Sequence, residues 1–253
     1  MVLYIERWLK VPMQLADGTE VQRTKGTPQG GVVSPVLANL FLHYAFDVWM
    51  TRTFPDAPWC RYADDGLVHC RTEQEAQGIK AALSARLAEC QLELHPTKTR
   101  IVYCKDANRR GSYPTTKFDF LGYTFRPRSA KNSRRSCLFV SFSPAVSSAA
   151  LKSMRQTTRR LGFRNRTDLS LDEIAQRHNP VLRGWLNYYG RYCPSEMSPV
   201  LRHFNKTLVA WAMRKYRRFK GHRGRAGRFI EVIAKRQPDL FVHWQRGMVG
   251  AFA

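Results

Sequence analysis

The stretch RYADDGLVHC, residues 61–70, constrains the fold more than any other in this chain. Apolar and aromatic residues flank Asp64 and Asp65 on both sides in short runs, and Gly66 follows the pair. Such a pattern predicts a short hairpin that carries the two acids at its tip. Two carboxylates this close repel and raise one another's proton affinity unless a divalent cation neutralises them. Mg²⁺ takes hard oxygen ligands and keeps positions for water and substrate phosphates. Aspartate is also common in ordinary turns. These ten residues therefore leave two readings open, an exposed acidic turn or a cation site.

The segments around the hairpin predict an α+β fold. Asp17-Gly18 is a strong two-residue turn signal and predicts a hairpin within VPMQLADGTEVQRTKG. SPVLANLFLHYAFDVWM predicts a helix capped by Ser34, with Pro35 at its first position, apolar enough to be buried on more than one face. A second helix opens with Thr72 and Glu75 as a capping box and keeps Ala76, Ile79, Leu83 and Leu87 at helical spacing. TRIVYC, FDFLGYTF and CLFVSF are rich in β-branched and aromatic residues and predict strands. The sum is an antiparallel sheet backed by helices.

After Pro144 the pattern turns helical. One helix is predicted from Ser143 to about Leu161, closed by Gly162. Another is capped by Ser170 with Glu173 and stops at Pro180. PVLRGWLNYYGRY and SPVLRHFNKTLVAWAMRKYRRF follow, the latter opened by Ser-Pro, and RKYRRFKGHRGRAGR is densely basic. The expected domains are 1–143, mixed, and 144–253, a helical bundle.

Charge narrows the partners. Forty-two Lys and Arg stand against nineteen acids, net +23. Residues 1–145 hold 20 basic and 13 acidic residues, net +7, and residues 146–253 hold 22 and 6, net +16. Solubility needs only a few charges, so this excess points to a polyanion, nucleic acid before a membrane surface. The six cysteines include no C-x-x-C pair, which disfavours a zinc site and a disulfide framework. No apolar run approaches a membrane span, and the expected location is cytoplasmic.

GTPQGGVVSPVLANLFL, RYADDGLVHC, LELHPTKTR and FDFLGYTFRPR, in that order and spacing, resemble the palm motifs of reverse transcriptases. NPVLRGWLNYYGRY resembles the maturase-specific region of proteins encoded by group II introns, and the likeness runs from about Trp8 to Trp244. The resemblance implies a reverse-transcriptase palm followed by an all-α thumb and maturase bundle, with Mg²⁺ as cofactor. It implies deoxynucleoside triphosphates, an RNA template with a DNA primer, and group II intron RNA as substrates and partners. Asp64 and Asp65 then correspond to the two metal-binding aspartates of the Tyr-x-Asp-Asp loop, and Tyr62 to its aromatic member. Gly26, Pro28, Gln29 and Gly30 correspond to the segment beside template and incoming nucleotide, and Lys98 to a lysine near the triphosphate that could assist the leaving pyrophosphate. Phe120, Leu121 and Gly122 correspond to the grip on the primer end.

The plainer alternatives stand beside these roles: Lys98 as a solvated lysine, Phe120 and Leu121 as core residues. In the basic half, Arg183 and Arg191 alternate with Trp185 and Tyr188, and Arg214, Lys215, Arg217 and Arg218 crowd one helix end. Guanidinium groups suit phosphates and aromatic faces suit unpaired bases, so these are the expected RNA contacts. Trp185, Leu186 and Tyr189 also keep helical spacing and fit a bundle core.

One departure qualifies the resemblance. Family members carry a strand with a further aspartate, and fingers segments, upstream of the TPQG motif, whereas only about 25 residues precede Gly26 here. Glu6, Asp17 and Glu20 are the acids among them; Asp17 falls in the hairpin turn and Glu20 just after it, and neither of these two lies on a strand of the expected kind. Two carboxylates on one hairpin are a poor cage for two ions. The expectation is an N-terminally truncated reverse transcriptase, inactive alone, poorly soluble without RNA or an N-terminal fragment supplied in trans. The alternative is a non-catalytic RNA-binding splicing factor.

Overall fold

Asp17-Gly18 turns the chain as its chemistry requires. Gly18 takes a φ of 87°, Asp17 Oδ1 accepts the Thr19 amide at 3.0 Å, and β1 (Met13–Gln14) pairs antiparallel with β2 (Glu20–Val21). The computed structural model describes residues 2–22, 26, 31–109, 111–132 and 137–248, in two units, Met1–Ile101 and Val102–Ala253.

In the first unit, α1 (Val2–Lys10) precedes the hairpin, and α2 (Ser34–Leu42) runs through a π turn, His43–Asp47, into α3 (Val48–Thr53). Two expectations for this segment are corrected. Val33 occupies the cap position without any side-chain cap, and Ser34 and Pro35 are already helical. Burial on several faces is also absent: α2 buries none of its residues, and the core begins at Ala45, Phe46 and Met50. Only the later turns enter the apolar core. There Phe46, Met50 and Ala57 close with Ile79, Leu83 and Leu87 of α4 (Glu73–Glu89), the positions chosen by helical spacing. Thr72 caps α4 by accepting the Glu75 amide at 3.1 Å, but Glu75 Oε2 accepts the Arg71 amide at 2.7 Å, one residue short of a reciprocal box. Above this core stands the predicted hairpin, β3 (Trp59–Tyr62) and β4 (Asp65–Val68).

The second unit opens with an antiparallel sheet of order β5 (Phe118–Phe120), β6 (Tyr123–Asn132) and β7 (Cys137–Val146). FDFLGYTF is therefore two strands, broken where Leu121 and Gly122 take φ of 49° and 77°. Two consecutive left-handed residues are what a tight hairpin turn demands. TRIVYC forms no strand; its Tyr103 amide donates to Thr115 O at 2.9 Å in an irregular stretch. The helix expected from Ser143 begins instead at Ser148, as α5 (Ser148–Arg160), with Ser147 as cap. Ser143 to Val146 stay paired with β6, Pro144 opposite Phe125, because β7 is an edge strand whose missing amide leaves no ladder bond unmade.

α6 (Leu171–Tyr189) carries the full Ser170–Glu173 capping box. It continues through Pro180, where a stop was expected. Tertiary contacts override the break: Asn179 donates to Leu240 O at 2.9 Å and accepts the Val242 amide at 3.2 Å, while His178 and Leu182 are buried on either side. α7 (Ser198–Lys215) and α8 (Arg223–Arg236) complete a helical core around Phe163, Leu182, Phe204, Leu208, Trp211, Ile230, Phe241 and Trp244. The architecture is α+β as expected. No helix among the described residues is long and apolar enough to cross a membrane.

Candidate active site and nucleic-acid interface

The register of β3 and β4 pairs Tyr62 with Asp65 and leaves Ala63 and Asp64 as a two-residue turn. Ala63 sits at φ 52°, a conformation that glycine usually supplies. Tyr62 and Asp65, directly opposite, share one face of the ribbon, and Asp64 stands at the tip. All three are exposed, and neither carboxylate has a hydrogen bond or ion pair among the described residues. The acids are thus presented outward, with their oxygens uncommitted.

Beneath them lies a group that reading the sequence missed. Arg61 Nε and Nη2 donate to the two oxygens of Asp47, each at 2.7 Å, and Arg61 Nη1 donates to Ala63 O at 2.7 Å and to Asn39 Oδ1 at 3.1 Å. Both side chains are largely buried, at 11% and 17% exposure. The paired hydrogen bonds hold the Asp47 carboxyl below its usual range and the Arg61 guanidinium above its own. His43 Nδ1 lies 3.3 Å from Asp47 Oδ2, the oxygen that Arg61 Nη2 also holds. A signal existed: Asp47 is a lone acid in the apolar run FLHYAFDVWM.

Other predicted residues of this unit are less tightly held. Lys98 is exposed, within a turn closed by the Thr99 amide on His95 O at 3.0 Å. Gly26 is exposed at φ 70°, and Pro28, Gln29 and Gly30 lie outside the described residues. No three His, Cys, Asp or Glu side chains among the described residues gather as they would around a metal ion.

In the second unit the predicted grip and the predicted aromatic segment come together. Tyr188 Oη donates to Leu121 O at 2.9 Å, and Tyr123 Oη donates to Tyr188 O. The Tyr123 ring also contacts Tyr189 and Tyr192. Burial pushes the Tyr123 and Tyr189 phenols up. Phe120 is half-buried, and Leu121 lies at the tip. Trp185 is half-buried against the helical core, whereas Arg183 and Arg191 are exposed, the latter 5.8 Å from the Tyr192 ring.

The basic cluster divides in the same way. Arg214, Arg217 and Arg218 are exposed, Arg218 lying 4.7 Å over the Phe219 ring. Lys215 is committed to its own chain: it donates to Thr167 O at 3.1 Å and Leu169 O at 2.7 Å and lies over Trp211. The helical character of α8 had not been foreseen. It adds exposed Arg223, Arg225 and Arg228 beside that cluster in sequence.

A family model described as reverse transcriptase (RNA-dependent DNA polymerase) matches residues 1–125, and the acidic hairpin lies inside that match. A second, described as group II intron, maturase-specific domain, matches residues 151–229, from α5 into α8. This chain belongs to the group II intron reverse transcriptase/maturases. No curated protein matches it. Within the reverse transcriptase/maturase, the hairpin of Asp64 and Asp65 falls in the polymerase match and Arg183, Arg191, Arg214, Arg217 and Arg218 in the maturase match.

Proposed function

We propose that this reverse transcriptase/maturase binds group II intron RNA through its helical unit and carries, on the β3–β4 hairpin, the cation-binding edge of a polymerase site. The observation that supports the hairpin's role is the state of its acids: Asp64 and Asp65 are exposed, adjacent and unpaired among the described residues, on a turn whose geometry is fixed from below. Two such carboxylates fit one Mg²⁺ that shares its remaining positions with water and substrate phosphates; they do not fit two ions. When bound, Mg²⁺ would supply charge neutralisation at a nucleotide's phosphates. The chain's own part is to present Asp64 and Asp65 toward solvent and to set Tyr62 beside Asp65. Lys98 would neutralise pyrophosphate, and Leu121 and Gly122 would position a primer end.

RNA is held by charge. Arg183, Arg191, Arg214, Arg217 and Arg218 keep exposed guanidinium groups for phosphates, and exposed Tyr188 and Tyr192 offer faces to unpaired bases. Since no third acid joins Asp64 and Asp65 among the described residues, this chain alone is expected to bind RNA without extending a primer. Two measurements test this. Affinity for a structured intron RNA should fall steeply and log-linearly with salt. Primer extension on an RNA template with Mg²⁺ and deoxynucleoside triphosphates should give no product. Salt-independent binding would remove the maturase reading. Extension that Asp64→Asn abolishes would show a complete polymerase in this chain.

A further inference from the structure

The Arg61 fork lies directly under the turn that presents the acids, and the turn has a reason to need support. Ala63 holds a left-handed backbone at φ 52° despite carrying a Cβ, a conformation that L side chains rarely adopt. A turn under that strain relaxes unless the surroundings determine it. Arg61 Nη1 pins the Ala63 carbonyl, the middle of the strained turn, while Nε and Nη2 clamp Asp47 in the π turn and Nη1 also reaches Asn39 in α2. One planar cation thus ties three points of the helical rod and hairpin into a frame. The next residue is Asp64.

We propose that Arg61, seated on Asp47, is a positioning residue for the cation-binding carboxylates of Asp64 and Asp65. This rests on the proposed cation site. The fork's geometry is specific: a lysine carries equal charge but cannot make parallel bonds to both Asp47 oxygens while also holding a carbonyl. Charge alone cannot be the device, since Arg61 and Asp47 neutralise each other and the net field they send to the tip is small.

Mn²⁺ binding to the full chain, followed by electron paramagnetic resonance at increasing metal, tests the assignment without requiring catalysis. In the wild type, one Mn²⁺ should be lost on Asp64→Asn. If Asp64→Asn leaves Mn²⁺ binding unchanged, the cation site itself falls, whatever Arg61 does. With that site established, Arg61→Gln and Asp47→Asn should each weaken Mn²⁺ about tenfold, in the range of outer-shell substitutions at metal sites. Arg61→Lys should fail to restore it. A field effect gives opposite signs instead: removing the cation would tighten Mn²⁺ and removing the anion would weaken it. Either that pattern, or unchanged Mn²⁺ affinity in variants whose thermal melts have shifted, overturns the proposal. Should Arg61→Gln not fold, Arg61→Lys keeps the charge and carries the same reading.

Discussion

At position 122 a side chain has nowhere to go. Gly122 sits at φ 77°, and a Cβ built on it would lie 2.7 Å from Tyr189 Oη and 3.1 Å from Tyr189 Cε1. Gly122→Ala therefore adds backbone strain of about 1 kcal/mol to the displacement of a ring packed on the core. The expected loss is about 2–3 kcal/mol, read as a lower urea midpoint at unchanged slope. An unshifted midpoint would show that the turn and Tyr189 move freely of one another. Only part of the candidate site was legible in the sequence. The turn at Gly122 is hidden inside a segment that reads as one strand, whereas the Asp64–Asp65 pair betrays itself locally, because two juxtaposed charges are exceptional whatever surrounds them. Arg61 does not: its partner lies fourteen residues earlier, and only the folded backbone brings the fork to Asp47 and Ala63. Lys215 misleads for the same reason, being a basic residue in a basic run whose ammonium is taken by two carbonyls from 46 and 48 residues away.

At the scale of elements, the helix signals held where a side chain caps its own backbone and failed where tertiary pairing competes. Ser170 Oγ accepts the Glu173 amide at 3.1 Å, and Glu173 Oε2 in turn accepts the Ser170 amide at 2.7 Å. Ser170→Ala should cost about 1 kcal/mol, seen in the denaturant midpoint of the full chain. Ser170→Asp should recover most of it, a result that bulk packing at this site could not give. The Ser143-Pro144 pair looks equally like a helix start, yet β6 recruits it into the sheet, and Pro180 looks like a stop that Asn179 and its bonds to the Leu240–Val242 segment override. TRIVYC shows the converse. Its β-branched residues favour a strand, but strand propensity expresses packing against a neighbour, and only Tyr103 finds a ladder-like bond.

Across the whole chain the two units differ in how they are held. Among the described residues, six buried apolar side chains form the core of the first and twenty-three that of the second, so the second unit dominates any cooperative melt. On the first, Val36, Leu40 and Tyr44 leave an exposed apolar stripe at one-turn spacing. At the centre of the second stands a histidine. His243 is fully buried, its Nε2 lies 2.7 Å from Asn205 Oδ1, and Trp244 Nε1 donates to the same oxygen at 3.1 Å. Asn205 Oδ1 accepts, so Nε2 carries the proton, and Nδ1 has no partner among the described residues. A second proton would enter a site with no acceptor for it. Burial accordingly pushes the His243 imidazole down to about 3, and burial lowers His178 and His203 as well. Between about pH 6.5 and 3 the unfolded chain binds the proton and the folded one does not, so stability is full above that window and falls as pH falls through it. His243 alone contributes about 1.4 kcal/mol per pH unit, or about 2 kcal/mol between pH 7 and 5. Thermal melts at fixed salt should move down over that interval, and His243→Gln, which keeps a donor toward Asn205 and loses the titration, should flatten the profile. A wild-type melt that holds level from pH 7 to 5 would mean that this core admits a charged imidazole.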